Sequence, residues 1–187
     1  MKSKSTLRKR YKVLRANLSK EERKHASIEI TRKIINNWNF IDKRISVFMS
    51  IQRLSEVDTS YLIERLGETN TLCAPVADLS SHEMNNFTFT KHSLKENEWG
   101  IPEPQDGDLI DSKEIDVVII PLLISDIFGN RLGYGKGFYD RFLAKCRRDT
   151  LFIGINYFEP ILQIPDVGEH DLPLDVLVTP NNLFESE

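Results

Sequence analysis

The feature that most constrains the fold is a run of apolar residues in the second half of the chain. Residues 117–123 are nearly all apolar, as expected of a strand that is covered on both faces. Shorter strand-like runs occur at residues 45–49, 71–75, 152–155 and 175–179. Segments with helical periodicity lie between most of these runs. This alternation predicts an α/β fold in three layers, with helices flanking a mostly parallel central sheet.

Helix signals are strongest in the first forty residues. One helix is predicted over residues 5–17, and Ser19 followed by Glu22 is the capping-box pattern that begins a second helix. We find no internal repeat, low-complexity segment or convincing linker. Residues 1–187 are therefore predicted to form a single domain.

The middle of the chain is less regular. Residues 84–90 alternate aromatic and polar side chains, which predicts a half-exposed strand. Residues 91–112 are polar, contain prolines and include Trp99, and we expect a long loop there. Loops of this length are often functional.

A glycine-rich segment follows the apolar run. Residues 129–141 read Gly-Asn-Arg-Leu-Gly-Tyr-Gly-Lys-Gly-Phe-Tyr-Asp-Arg, with glycines at the alternate positions 133, 135 and 137. The pattern predicts a turn after a central strand, followed by a helix over about residues 137–148. Such a turn would lie at the carboxyl edge of the sheet, where ligands of parallel α/β proteins bind.

This turn has the chemistry of a phosphate-binding site. Glycines allow close approach of the backbone, a helix N-terminus offers free N–H groups, and Arg131 and Lys136 add positive charge. The spacing matches neither a Walker A loop nor the dinucleotide fingerprint. The alternative is a simple connector in which Lys136 and Asp140 form an exposed ion pair. Three glycines cost conformational entropy in a connector, so the functional interpretation is favoured.

Composition narrows the partners. The net charge of −3 gives no reason to expect nucleic-acid binding, and no apolar run is long enough to span a membrane. Cys73 and Cys146 lie in apolar patterns and are predicted to be reduced thiols. Residues 2–15 carry seven Lys or Arg, and no acidic residue precedes Glu21. This start fits either a mitochondrial presequence or a docked helix, and we expect a cytoplasmic monomer.

Residues 131–140 resemble the signature of the 5-formyltetrahydrofolate cyclo-ligase (5,10-methenyltetrahydrofolate synthetase) family, Arg-Leu-Gly-x-Gly-x-Gly-Tyr-Tyr-Asp, with Phe138 as a conservative change. The resemblance extends along most of the chain. Further similar segments, in the family's order, are the basic start with Lys4 and Arg8, residues 44–50 with the Glu56-Val57-Asp58-Thr59 sequence, residues 99–104, and residues 165–179.

The resemblance implies an enzyme that uses ATP and Mg²⁺. The formyl oxygen of 5-formyltetrahydrofolate attacks the γ-phosphate, the folate N10 closes the ring, and 5,10-methenyltetrahydrofolate, ADP and phosphate are formed. Phosphoryl transfer is catalysed mostly by positioning and charge neutralisation, which suits the cations of the turn.

The resemblance also assigns residues. It implies that Lys136 and Arg131 are catalytic and that Asp140 and Asp171 hold Mg²⁺ directly or through water. The ATP-binding residues it implies are Lys4, Arg8, Arg131, Leu132, Gly133, Tyr134, Gly135, Lys136, Gly137, Phe138 and Tyr139. The substrate-binding residues it implies are Met49, Glu56, Trp99, Tyr134, Gly135, Lys136, Gly137 and Phe138.

Each assignment has a structural alternative. Asp140 could stabilise the N-terminus of the following helix, and Asp171 could cap a turn. Lys4 and Arg8 could belong to a solvated helix face, and Trp99 could be a packing anchor. Three rival functions also remain: another nucleotide-using enzyme such as a small-molecule kinase, a non-catalytic folate-binding relative, and a nucleic-acid binder that uses the basic N-terminal helix.

Overall fold

The computed structural model describes residues 3–78, 80–90, 93–98 and 100–186. Helices and strands alternate along much of this part of the chain. The α-helices are α1 (Lys4–Ala16), α2 (Lys20–Asn37), α3 (Ser60–Leu66) and α4 (Phe138–Leu143). The strands are β1 (Arg44–Val47), β2 (Thr71–Asp78), β3 (Glu83–Thr88), β4 (Leu94–Glu96), β5 (Pro102–Pro104), β6 (Leu109–Ile110), β7 (Val117–Pro121), β8 (Ile124–Ser125), β9 (Arg131–Leu132), β10 (Leu151–Ile155), β11 (Val176–Val178) and β12 (Leu183–Glu185).

The main sheet has eight strands in the order β12-β11-β10-β7-β1-β2-β3-β6. Its five central strands, from β11 to β2, are all parallel to one another. The strands added at the two edges pair antiparallel. The predicted α/β fold with a mostly parallel sheet is confirmed.

The apolar run that predicted the fold supplies the central strand, β7. Its side chains alternate between the two faces of the sheet. Val117 and Ile119 belong to a core that also includes side chains of α2 and α3. Val118 and Ile120 belong to a second core on the opposite face, with α4. The three-layer arrangement follows from burial on both faces, since neither face can be left exposed to water.

Helix α1 docks at one end of the sheet. Its Leu7 and Tyr11 join a third cluster with Leu123, just before the short β8–β9 hairpin, and with Leu132, which lies in β9. Docking of α1 on this hairpin places the polar side of the helix next to the glycine-rich turn. Helix α2 begins where it was predicted, because Ser19 and Glu22 make both hydrogen bonds of the capping box.

Three local predictions were wrong. The helix expected over residues 137–148 ends at Leu143, where the N–H groups of Lys145 and Cys146 bond carbonyls only three residues back. The expected loop over residues 91–112 contains β4, β5 and β6, because β4 and β5 pair with each other and β6 pairs with β3. The glycine-rich turn follows β7 only after the intervening β8–β9 hairpin.

Both cysteines are free, as predicted. Cys73 is buried, and burial raises the pKa of its thiol to about 12, so it is a thiol at neutral pH. Within the ranges described above, no helix combines the length and the apolar character needed to cross a bilayer.

Candidate active site

A cavity opens at the carboxyl ends of the central parallel strands. Met49 lies just beyond β1, Pro121 ends β7, and Ala77 lies in the last part of β2, and all three line the cavity. The glycine-rich turn and the N-terminal part of α1 close its other side. Its position agrees with the general rule for ligand sites in parallel α/β sheets.

The predicted site residues come together around this cavity. Its lining includes Lys4, Arg8, Met49, Glu56, residues 131–140 and Asp171. These residues come from five separate parts of the chain. Trp99 lies outside the described residues, so its predicted role stays a prediction.

The turn needs glycine at two positions. Gly135 has φ +91° and Gly137 has φ +69°, a left-handed conformation that side chains disfavour. A Cβ at Gly135 would lie 3.1 Å from Cζ of Arg8, whose Nε donates to the Gly133 carbonyl at 3.0 Å. The glycines therefore let a guanidinium from α1 lie directly against the turn.

Four side chains, Lys4, Arg8, Arg131 and Lys136, bring positive charge to the cavity, and we call them the cationic wall. Two of the four are ion-paired. Lys4 Nζ lies 2.8 Å from Asp171 Oδ2, and Arg131 Nη2 donates to Asp140 Oδ1. The alternative of a Lys136–Asp140 ion pair was wrong, because Asp140 is paired with Arg131 instead.

The other two cations of this wall are Arg8 and Lys136. In the part of the chain that the structure describes, neither Arg8 nor Lys136 forms an ion pair, and Lys136 is exposed. Positive charge that is not neutralised by the protein is available to an anionic ligand. Arg8 is less free to move than Lys136, since its Nε is bonded to the turn.

Arg131 is held more firmly than the other cations. Its side chain is 6% exposed, and it donates both to Asp140 and to the Leu172 carbonyl. Burial lowers the pKa of this guanidinium, and the charge of Asp140 opposes that shift. An arginine remains charged despite such a shift, so Arg131 is a fixed positive charge beside the turn.

Asp140 and Asp171 fit the requirements of a Mg²⁺ site. Each has one oxygen engaged: Asp140 Oδ1 with Arg131, and Asp171 Oδ2 with Lys4 and the Gly168 N–H. Their other oxygens accept no hydrogen bond from the residues described here. Mg²⁺ prefers oxygen ligands and is commonly held by one or two carboxylates together with substrate phosphates. No group of three or more potential metal ligands exists among the described residues.

The cavity also carries a buried carboxylate. Glu56 is 7% exposed, and its Oε1 accepts from the Tyr134 hydroxyl at 2.6 Å. Its Oε2 accepts from the Ile51 N–H at 2.9 Å. Burial raises the pKa of Glu56, and both hydrogen bonds oppose that shift. We call Met49, Glu56 and Tyr134 the carboxylate wall.

Several lining residues were not assigned from the sequence. Pro75, Ile101 and Met84 add apolar surface, and Glu103 adds a carboxylate that accepts from the Asn97 side chain. Behind the cavity, Arg15 donates to the Tyr134 hydroxyl. Lys4, Arg8 and Arg15 are separated by one and two turns of α1, so they lie on the same face of the helix. This spacing could have indicated that Arg15 points towards the cavity as Lys4 and Arg8 do.

A parallel α/β sheet with fixed cations and carboxylates around a cavity at its carboxyl edge is the arrangement of an enzyme that binds an anionic ligand. Comparison with known proteins is more specific. Residues 1–180 match the model of the 5-formyltetrahydrofolate cyclo-ligase family. The chain therefore belongs to the 5-formyltetrahydrofolate cyclo-ligase family.

Individual relatives agree with this assignment. The mouse 5-formyltetrahydrofolate cyclo-ligase is 34% identical over 173 residues, which cover 84% of each chain. The Escherichia coli K12 protein of the same name is 33% identical over 149 residues, covering 75% of this chain and 80% of its own. The solved structure of Aquifex aeolicus 5,10-methenyltetrahydrofolate synthetase superposes with a TM-score of 0.84 at 30% identity, over 97% of this chain and 92% of the other.

Proposed function

We propose that this chain uses ATP and Mg²⁺ to convert 5-formyltetrahydrofolate into 5,10-methenyltetrahydrofolate. The formyl oxygen attacks the γ-phosphorus, the bond from that phosphorus to the β–γ bridging oxygen breaks, and ADP leaves. The folate N10 then attacks the activated formyl carbon and loses its proton, and the carbon–oxygen bond breaks to release phosphate, which takes up that proton. The observation that carries the proposal is that the cationic wall and Glu56 line one cavity in a chain of this family.

The cationic wall would bind the triphosphate and stabilise the transferred phosphoryl group. Lys136 is exposed and has no acidic partner among the described residues, so its ammonium can move to the γ-phosphate. Arg131 is fixed by Asp140 and would supply a preorganised charge. Lys4, Arg8 and the backbone of residues 132–139 would hold the rest of the nucleotide.

Asp140 and Asp171 would hold Mg²⁺ through the carboxylate oxygens that accept no hydrogen bond within the described chain. When bound, the ion would neutralise charge on the phosphate oxygens. The two aspartates are kept in place by Arg131 and Lys4. Partial burial acts to raise the pKa of Asp171, but the hydrogen bonds from Lys4 and the Gly168 N–H and the charges of Lys4 and Arg131 together outweigh it, so that the pKa is lowered.

The carboxylate wall would bind the folate. A carboxylate can accept paired N–H bonds from the donor edge of a pterin ring, and Glu56 lines the cavity. Met49 supplies an apolar surface beside it, and residues 134–138 would lie between the two ligands. The proposed contact of Trp99 with the ring remains a prediction.

The test is the absorbance of the methenyl product, measured with purified protein, 5-formyltetrahydrofolate, ATP and Mg²⁺. We expect the band to grow and to be lost without ATP or with a chelator. A flat trace from folded protein that still binds ATP would reject this proposal and favour another nucleotide-using enzyme.

The proposal also includes a single domain, a monomeric state, a cytoplasmic location and no nucleic-acid partner. The net charge of −3 and the spread of ion pairs over the surface support the last of these. Light scattering of the purified protein tests the monomer, and a mass near 21.6 kDa is expected.

A further inference from the structure

Arg15 is a buried charge with an unusual environment. It is 3% exposed, and its Nε has no hydrogen-bond partner among the residues with a described position. Among the residues that the structure describes, no carboxylate lies within ion-pair distance of its guanidinium. Burial of a charge that lacks an ionic partner is costly, so the residue is not explained by packing alone.

The contacts of Arg15 lead to the cavity. Its Nη2 donates to the Tyr134 hydroxyl, and its Cζ lies 5.6 Å from the centroid of the Tyr134 ring. The Tyr134 hydroxyl in turn lies 2.6 Å from Glu56 Oε1. A guanidinium can only donate, so the tyrosine oxygen accepts from Arg15 and its own proton is directed to Glu56.

We propose that Arg15 is a positioning residue for the folate: through Tyr134 it orients the Glu56 carboxylate and keeps it as an acceptor for donor groups of the ligand. This inference rests on the proposed function, which assigns Glu56 to the pterin ring. Arg15 does not line the cavity and is given no contact with either ligand.

The electrostatics of Glu56 support this role. Burial raises the pKa of Glu56, and the bonds from Tyr134 and Ile51 and the charge of Arg15 act against burial. Other titratable or charged groups near Glu56 and Tyr134 are Arg53, Tyr139, Tyr157 and Lys12. Lys12 is exposed and lies over the outer face of the Tyr134 ring, 5.4 Å from its centroid. Arg15 is thus the buried cation that acts on Glu56 from α1.

Arg15→Met tests the inference, since it removes the charge and keeps most of the length. The Glu56 carboxyl is followed by ¹³C NMR against pH, and binding of 5-formyltetrahydrofolate without ATP is followed by calorimetry. We expect the pKa of Glu56 to rise and the Kd for the folate to increase about tenfold at neutral pH, as for loss of a charge-assisted hydrogen bond. The loss of binding on acidification should begin at a higher pH than in the wild type.

Two variants serve as controls. Arg10→Met removes an exposed arginine from the same helix and should leave both readouts unchanged. Arg15→Lys keeps the charge and should restore the pKa of Glu56 in part. An Arg15→Met protein with an unchanged Glu56 titration would overturn the inference. So would equal weakening of ATP and folate binding, because that result indicates a merely structural role.

A double-mutant cycle with Tyr134→Phe tests whether Arg15 acts on Glu56 through the Tyr134 hydroxyl. If Arg15 acts through the hydroxyl, Arg15→Met should add little to the change in folate Kd caused by Tyr134→Phe. Additive effects would overturn the inference. The Glu56 titration needs neither turnover nor folate, so failure of the proposed function, seen as absent methenyl formation in the wild type, is distinguishable from failure of this inference.

Discussion

The two walls of the cavity are built in different ways. The cationic wall takes Arg131 and Lys136 from one contiguous turn and adds Lys4 and Arg8 from successive turns of α1. The carboxylate wall takes Met49, Glu56 and Tyr134 from three separate segments, and Glu56 at its centre is almost fully buried.

The two walls also differ in the interaction on which they depend: the cationic wall acts through charge, and the carboxylate wall acts through hydrogen bonds. A charge such as that of Lys136 acts over a distance and tolerates movement of the side chain. Glu56 depends on short bonds from Tyr134 and Ile51 in a buried setting, where a lost partner is costly. Substitution of the exposed Lys136 should therefore change catalysis with little change in stability, whereas substitutions around Glu56 should change ligand affinity and the pH dependence of folding together.

The largest effect is expected for Lys136→Ala. Loss of a cation that stabilises the transferred phosphoryl group should lower kcat by roughly 10²–10³-fold. The Tm should stay unchanged, because Lys136 is exposed. The exposed Lys24 on α2 provides the matched control, Lys24→Ala, which should keep full activity. Near-normal turnover of Lys136→Ala would remove this lysine from the catalytic set.

Glu56→Gln should have the next largest effect, and on the other ligand. The glutamine amide has only one oxygen and cannot accept a pair of N–H bonds as a carboxylate does. The Kd for 5-formyltetrahydrofolate should therefore rise roughly 10–100-fold, while the KM for ATP stays constant. Glu64→Gln, at an exposed position of α3, is the control. An unchanged folate Kd in Glu56→Gln would show that this wall does not bind the pterin.

The same contrast explains what could be predicted about the fold. The apolar run at β7 and the capping box of α2 are local signals, and both led to correct predictions. The strand β6 has only two residues and is defined by its pairing with β3, from which it is separated along the chain by β4 and β5. Such pairing is a tertiary effect that short segments do not encode by themselves.

For the site, too, the residues of one contiguous segment were easier to predict from the sequence than residues brought in from distant segments. The turn at residues 131–137 can be recognised from glycine spacing, and the structure brings it together with Glu56 and Asp171, which were assigned by resemblance. Met84 and Glu103 reach the cavity only because β3 and β5 fold back towards it. Arg15 was missed because a basic residue in a basic helix gives no sign of burial.

Arg8→Ala sharpens the comparison within the cationic wall. Arg8 has no ion-pair partner among the described residues but is bonded to the Gly133 carbonyl. Its loss should raise the KM for ATP about tenfold, as for one charge-assisted contact, and leave the folate Kd unchanged. Arg10→Ala, two residues further along α1 and exposed, is the control. If Arg8→Ala changed the folate Kd more than the KM for ATP, Arg8 would have to be assigned to the folate and not to the nucleotide.

Glu56 should also leave a signature in stability. Its pKa is raised in the folded state, so the folded protein holds a proton that the unfolded chain has already released. The contribution of Glu56 to the free energy of unfolding is therefore full below its unfolded pKa and is lost as the pH rises through its folded pKa. Urea unfolding of the wild type and Glu56→Gln across this range should give a difference that changes with pH. A constant difference would contradict burial of an ionisable carboxyl.

The smallest effect is expected for the ion pair between Lys4 and Asp171, whose side chains are 25% and 34% exposed. Lys4→Met should lower the free energy of unfolding by no more than about 1 kcal/mol, since a partly exposed pair is screened by solvent. The pKa of Asp171 is lowered: burial acts against ionisation, but the hydrogen bonds from Lys4 and the Gly168 N–H and the charges of Lys4 and Arg131 together outweigh it. The contribution is therefore present above the unfolded pKa of Asp171 and is lost as the pH falls through the folded one. This pH dependence is opposite in sign to that expected for Glu56, so urea unfolding of Lys4→Met at several pH values distinguishes the contribution of Asp171 from that of Glu56. A loss of stability in Lys4→Met that grows with acidification would contradict the pairing of Lys4 with Asp171.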